Sequence, residues 1–304
     1  MAKILLALGG NALLENGERR TYDVQYMHAL EAFKNIRNIV ESNDIAITHG
    51  NGPQVGDIQN AFELSGIDIK LHQSGAMSQG YIGEILENSY NEIKNKYKLK
   101  KNIYTIITRT LVDKDDVAFK NPEKPIGKYY NEKDSFNLKN EGFTFKKFND
   151  GYRRIVPSPD PVDILETDLI NIIMENNDIP IAAGGGGIPV IYDNGKIHGV
   201  DAVIDKDLAS SMLASKINAA ALIILTDVPY AYIDYGKPSQ KPIKKIDYDL
   251  MLKYYNENQF QNGTMLPKIK GALNFIKNGG KKAIITSFEN IQNSLEKISG
   301  TIIE

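Results

Sequence analysis

The residues best suited to chemistry gather in the stretch from Pro180 to Ala209, PIAAGGGGIPVIYDNGKIHGVDAVIDKDLA. Four consecutive glycines, Gly184 to Gly187, follow a short apolar run from Ile179 to Ala183. A glycine run costs backbone entropy, so it signals tight turning or close approach of a ligand to the main chain. With no side chains in the way, successive N–H groups can point into one concavity and hold an anion. The stretch closes on Asp205, Lys206 and Asp207, directly before a helical pattern carried by Leu208, Met212 and Leu213. A lysine between two carboxylates at a helix start is a poor packing solution and a good arrangement for handling phosphate. Taken alone, the glycines could equally be a strand-to-loop junction and Lys206 a solvated cap. Two more glycine loops, Gly9-Gly10-Asn11 and His49-Gly50-Asn51-Gly52-Pro53-Gln54, favour the chemical reading.

These loops need elements to position them, and the apolar periodicity supplies them. Lys3 to Leu8 reads as a central strand ending in the first glycine pair. Val24, Met27, Leu30, Phe33, Ile36 and Val40 recur at helical spacing, and Ile45 to Thr48 is a second strand running into the second glycine loop. A helix carrying Val55, Ile58 and Phe62 follows at once, so the βα unit of a parallel sheet occurs twice. Ligands of such sheets bind beyond the carboxyl ends of the strands, where helix N-termini add free N–H donors and partial positive charge. Gly75 to Gly80 opens or interrupts another helix, and Ile103 to Thr108 reads as the next strand. Arg153 to Val156 is a strand stopped by Pro157-Ser158-Pro159, and a helix with Ile164, Leu165, Leu169, Ile172 and Ile173 is expected after it. Asp193-Asn194-Gly195 closes a hairpin. Ala221 to Leu225 is a buried strand ending in Thr226-Asp227. Gly263-Thr264-Met265-Leu266-Pro267-Lys268 leads into a helix with Pro267 suited to its first turn. Lys282 to Thr286 and Gly300 to Ile303 close the chain. From Asp113 to Arg154 the periodicity weakens, while Phe119, Tyr129, Tyr130, Phe136, Phe143, Phe145 and Phe148 argue against disorder. An inserted lid is expected there.

Composition narrows the chemistry further. At 304 residues the chain can bury a substantial core, and a formal net charge of -2 gives no electrostatic case for nucleic acid or an anionic membrane. With no cysteine, disulfides, thiolate catalysis and cysteine-ligated metals are excluded. His28, His49, His72 and His198 are scattered, which disfavours an all-histidine metal site. His49 lacks a nearby acid–base partner and reads as structural. The N-terminus has no signal-peptide pattern and no run approaches membrane-spanning length, so a cytoplasmic location is expected. No GxxxxGK[ST] loop, HRD, DFG, GxSxG or HExxH motif is present, and the glycines at 50, 52 and 56 are spaced one residue too widely for a dinucleotide fingerprint.

In order along the chain, ALGGNAL, THGNGPQVG, GAMSQGYIG, NPEKPIG, PSPDP, AAGGGGIPV, GVDAVIDKDLA, LTDV and GTMLPK resemble the motifs of the carbamate kinases, members of the amino-acid-kinase superfamily. The resemblance spans nearly the whole chain. It implies an α/β fold, an open αβα sandwich on a mostly parallel central sheet, in a single domain spanning 1–304. A protruding lid subdomain would be inserted at 113–154, within the carbamate-side lobe (1–180), which a nucleotide-side lobe (181–304) follows. It implies reversible phosphoryl transfer between ATP and carbamate, giving ADP and carbamoyl phosphate. Mg²⁺ would be held through the nucleotide phosphates, and the enzyme would be a homodimer. By the same resemblance Gly9, Gly10, Asn11, Gly50, Asn51 and Gly52 form the carbamate side. Gly185, Thr226, Asp227, Met265, Pro267 and Lys268 form the nucleotide side. Lys206 and Lys268 would contact phosphates, Asp207 would orient them, and Lys124 would reach down from the insertion. The segment after KP-IG departs from the family pattern, with Lys128 and Tyr129 in place of proline and an aromatic, so either Lys124 or Lys128 could be the lid lysine.

This chemistry suits the residues. Carbamate already carries an anionic oxygen, so no general base is needed, and phosphoryl transfer then depends on positioning and charge neutralisation. Two rivals stand beside it. One is another kinase of the superfamily acting on a small carboxylate or phosphate ester. The other is a non-catalytic nucleotide-binding sensor, which predicts loss of the phosphate-contacting lysines.

Overall fold

Every residue from Ile4 to Leu8 is apolar and buried, because the strand they form lies in mid-sheet with helices on both faces. The computed structural model describes residues 1–10, 13–15, 17–140, 142–260, 264–291 and 299–304. The chain begins with β1 (Lys3–Leu8), α1 (Tyr22–Ser42), β2 (Asp44–His49), α2 (Gly52–Ser65), α3 (Leu71–Tyr97), β3 (Ile103–Thr105) and β4 (Arg109–Val112). Next come β5 (Lys124–Tyr130), α4 (Glu132–Asn140), β6 (Phe145–Phe148), β7 (Gly151–Val156), β8 (Pro161–Ile164), α5 (Thr167–Glu175) and β9 (Ile179–Ile181). The centre continues with β10 (Ile188–Asp193), β11 (Lys196–Gly199), α6 (Lys206–Lys216), β12 (Ala221–Thr226), β13 (Ala231–Ile233) and β14 (Lys241–Ile243). It ends with β15 (Lys245–Ile246), α7 (Tyr248–Asn256), α8 (Met265–Lys277), β16 (Lys282–Ser287), α9 (Phe288–Ile291) and β17 (Thr301–Ile303).

Among the described residues the main sheet has eight strands in the order β15-β17-β16-β12-β1-β2-β9-β3. Only the β16–β17 pairing is antiparallel. Alternation along the strands sends Leu5, Ala7, Leu222, Ile224 and Ile285 to one face, against Ala209 and Leu213 of α6 and Ile269 and Leu273 of α8. Ile4, Leu6, Ile45, Ile47 and Ile223 point the other way, onto Phe33 of α1 and Ile82, Leu86 and Tyr90 of α3. The sandwich is therefore helix–sheet–helix, and one sheet runs through both halves of the chain. A second sheet, β11-β10-β4-β8, flanks it. Asn194 (φ 49) and Gly195 (φ 75) close the β10–β11 hairpin in left-handed conformations.

Two expectations need correction. The strand expected at Ile103 to Thr108 stops at Thr105. Gln79, buried on α3, takes over the backbone of Thr108, accepting from its N–H at 2.7 Å and donating to its carbonyl at 3.1 Å, and the chain turns into β4 of the second sheet. Ile164 was expected on a helix but ends β8, paired antiparallel with Thr110, and α5 begins only at Thr167. The 113–154 segment, weakly periodic in sequence, is regular. Its antiparallel sheet, β5-β7-β6, has α4 packed against β7 and runs on to Val156. This unit sits on α2, where a Cβ built on Gly56 would lie 3.4 Å from the Cα of Gly127.

Candidate active site

The glycine loops all leave the carboxyl ends of neighbouring parallel strands. Gly9 follows β1 and packs so tightly on β12 that a Cβ there would lie 2.6 Å from the Leu225 carbonyl oxygen. Beyond it, Gly10 and Gly52 face open space, and Gly50 lies against Gly10 and the Lys206 side chain. The run after β9 is equally crowded on its inner side. At Gly184 a Cβ would meet the His49 ring, and at Gly185, with φ 64, it would meet the Asn51 amide. Gly185, expected on the nucleotide side, packs against Asn51. Asn51 is held by a hydrogen bond from its Nδ2 to Ser78 Oγ (2.7 Å), and Gln79 donates to the Gly184 carbonyl at 3.2 Å. Ser78 and Gln79 are thus supports that sequence reasoning quoted in GAMSQGYIG without a role. Their signal was a pair of adjacent polar residues on the buried face of a helix, just before Ile82, Ile85 and Leu86. Asn11 lies outside the described residues.

α6 begins at Lys206 because Asp205 caps it: one carboxylate oxygen accepts from the Asp207 N–H at 2.9 Å. Lys206 Nζ donates to Asp207 Oδ1 at 2.5 Å, and Lys268 Nζ donates to Asp207 Oδ2 at 3.2 Å. One carboxylate therefore bridges two ammoniums carried by adjacent helices. Gly271 allows this, since a Cβ there would stand 2.6 Å from the Asp207 carbonyl oxygen. Lys268 also donates to the Thr264 carbonyl at 3.3 Å, which aims it along the α8 N-terminus.

The side chains of Lys206, Asp207 and Lys268 are 13%, 5% and 14% exposed. Burial pushes the Asp207 carboxyl up, but the two ammoniums outweigh it and hold the group below its usual range. Burial pushes Lys206 down, helped by the charge of Lys268 and opposed by Asp207 and Asp205, and the net direction is down. Two cations around one buried anion leave a positive charge uncompensated, as a site for an anionic ligand requires. His49 is buried and pushed down to about 4 by desolvation, with Lys206 nearby adding to the effect. It is neutral at physiological pH, and its Nδ1 donates to the Gly50 carbonyl at 2.9 Å, a loop-bracing role.

The two insertion lysines go separate ways. Lys124 Nζ reaches Asp205 Oδ2 at 2.9 Å, at the start of α6. Lys128 turns to α2, donating to Asn60 Oδ1 at 2.7 Å with Glu63 at 4.0 Å. A cavity of about 290 Å³ lies on that side, lined by Val55, Gln59, Ile126, Leu138, Phe143 and Arg154 among others, and none of the cluster around Asp207 borders it. Thr226 ends β12, beside the Gly9 turn, donating its hydroxyl to the exposed Asp227 carboxylate at 2.9 Å. Met265 and Pro267 occupy the first turn of α8, with Met265 partly packed on the core. Three N-termini, of α2, α6 and α8, thus belong to the elements that carry the glycine loops and the lysines, and the N-terminal end of a helix favours anions through its dipole and first-turn N–H groups. Among the described residues no group of three or more His, Asp or Glu is placed to cage a metal ion.

Glycine-lined strand ends, helix N-termini and paired buried lysines define a phosphate-handling α/β protein. The chain belongs to the amino acid kinase family, whose sequence model matches residues 2–287. Within that family it is 57% identical to the carbamate kinase of Thermoplasma acidophilum over 303 residues, covering 100% of this chain and 99% of that one. It is 44% identical to the carbamate kinase of Pyrococcus horikoshii, covering 98% of each. The structure matches carbamate kinase from Giardia lamblia bound to AMP-PNP with a TM-score of 0.94 at 38% identity, over 99% of this chain and 98% of that one.

Proposed function

We propose that this protein is a carbamate kinase, transferring a phosphoryl group reversibly between ATP and carbamate to give ADP and carbamoyl phosphate. The observation that carries the reading is Asp207 bridging Lys206 and Lys268, with Gly50 packed against the Lys206 side chain and Gly10 open beside it. The full-length likeness to carbamate kinases selects the reaction within the family. In this reading Gly9, Gly10, Gly50, Asn51 and Gly52 form the acceptor side, where backbone N–H groups hold the small carbamate anion and the transferring phosphoryl group. Thr226, Asp227, Met265 and Pro267 flank the nucleotide. Lys206, Lys268 and Lys124 neutralise charge on the equatorial oxygens, and Asp207 keeps two of them charged and aimed. The acceptor oxygen is already anionic, so no side chain needs to remove a proton. Neutral, buried His49 fits that absence.

Mg²⁺ keeps most of its waters and binds through phosphates plus one or two carboxylates. The carboxylates present fit that pattern. Both Asp207 oxygens are taken by lysines, while exposed Asp227 remains open to a metal arriving with the nucleotide. Bound there, Mg²⁺ would neutralise charge on the nucleotide phosphates. We also infer that the 113–156 unit acts as a lid and that the protein works as a homodimer. Exposed Met77 and Tyr81 on α3 and Tyr104 on the edge strand β3 are side chains such an interface would cover. Among the described residues no helix is long and apolar enough to cross a membrane, and a cytoplasmic location is our expectation. The deciding experiment is ATP formation from ADP and carbamoyl phosphate, run beside a panel of other phosphorylated acids. Selective turnover of carbamoyl phosphate is expected; preference for another acid would redirect the assignment within the family.

A further inference from the structure

Asp205 serves two parts of the molecule at once. Its Oδ1 accepts from the Asp207 N–H at 2.9 Å and so fixes the first turn of α6, the turn that carries Lys206 and Asp207. Its Oδ2 accepts from Lys124 Nζ at 2.9 Å, across 81 residues of sequence. Lys124 is the first residue of β5 and pairs with Val156, the last residue of β7, so this contact sits at the root of the inserted unit. The Asp205 side chain is 14% exposed and that of Lys124 32%, a partly shielded pair rather than a solvated one.

We propose that Asp205 is a positioning residue that seats the inserted unit and aims the Lys124 ammonium at the active site, through the same carboxylate that caps the catalytic helix. This rests on the phosphoryl-transfer reading given above. An ammonium has three N–H donors. Asp205 takes one, which fixes the direction of the two that remain for a phosphoryl oxygen. Because the same carboxylate orders the α6 start, movement of the inserted unit is tied to the turn that holds Lys206. A cap alone would not need a charge, since asparagine and serine cap helices about as well as aspartate. What aspartate adds is the charge-assisted bond to Lys124.

The test uses Asp205→Asn and Asp205→Ser, both of which keep a capping acceptor and remove the charge. Each should lower kcat for ATP formation from carbamoyl phosphate about tenfold, the scale of one hydrogen bond to a charged group, with KM for ADP changed less than about twofold. In a Lys124→Met background Asp205→Asn should cause no further loss, because its effect runs through that lysine. Amide hydrogen exchange over residues 124–130 should quicken in Asp205→Asn without substrate. Wild-type turnover in both single variants, or losses that multiply in the double variant, would overturn the proposal. A wild-type protein inactive on carbamoyl phosphate would defeat the reaction assignment alone. In that case unchanged exchange at 124–130 in the variants would still defeat the Asp205 role.

Discussion

The two ends of the lysine array are held in different ways. Lys206 and Lys268 stand on helices packed into the main core. They share Asp207, and backbone contact at Gly271 fixes their spacing. Lys124 comes from a separate three-stranded unit and is held by Asp205, while the rest of that unit meets α2 across a cavity and the Lys128 contacts. One region is fixed by burial that the whole fold enforces. The other rests on a small apolar cluster, Val55 and Leu71 against Ile126 and Val156, and a few polar contacts, which together are easier to make and break during a catalytic cycle than the main core. A kinase needs both properties: preorganised charge where the phosphoryl group passes, and a cover that can open.

The largest difference should come from Asp207→Ala. It leaves two buried ammoniums facing each other with no anion between them, and breaking a buried ion pair costs about 3–5 kcal/mol. Thermal or denaturant unfolding should report that loss. Truncating Lys124 to Met, in the looser region, should leave stability nearly unchanged.

Activity separates the insertion lysines. Lys124→Met should lower kcat by about 10–10²-fold, and Lys128→Met should stay within about twofold, since its ammonium serves α2. Equal losses in the two variants would put Lys128 in the site. Sequence could not choose between them because both lie on one strand at even spacing. The register shift between Ile126 and Tyr130, with Gly127 at φ 65, turns Lys128 away, and that irregularity depends on contact with α2.

The same contrast explains what was legible. β1 and β2 with their glycine loops, and β12 with its Thr226-Asp227 end, could be read directly, because strands buried on both faces are continuously apolar. The helix start at Asp205-Lys206-Asp207 and the Pro267 first turn were local signals too. The end of β3 was not, since Gln79, far off in sequence, takes the Thr108 backbone out of the ladder. The end of β8 reads as helix because Ile164 and Leu165 run straight into the apolar pattern of α5. The insertion's small sheet has half-exposed strands, so its period was weak.

Glycine substitutions give a smaller effect with the same sense. Gly271→Ala places a Cβ at 2.6 Å from a backbone oxygen between α6 and α8, and overpacking of this kind costs about 1–3 kcal/mol. Gly56→Ala at the α2–β5 contact meets the nearest atom at 3.4 Å and should change stability by less than about 0.5 kcal/mol. Comparable losses at both sites would mean the insertion is seated as rigidly as the helix pair.

The smallest effect is one of pH. Burial holds Lys206 below the ordinary lysine value of 10.5, so raising the pH removes its proton earlier than from a solvated lysine. The alkaline limb of kcat/KM should therefore fall below pH 10.5. Lys206→Arg, which stays charged, should move that limb upward whatever its absolute rate.

The central claim is that the buried cluster stabilises charge on the transferring phosphoryl group. Its most direct test is Lys206→Met, which keeps much of the side-chain volume and removes the charge, assayed for ATP formation from ADP and carbamoyl phosphate. The account predicts kcat lower by about 10²–10³-fold, the scale of losing one preorganised transition-state donor, with KM for ADP changed far less. Turnover within a few-fold of wild type would contradict it and leave Lys206 as no more than the first residue of a helix.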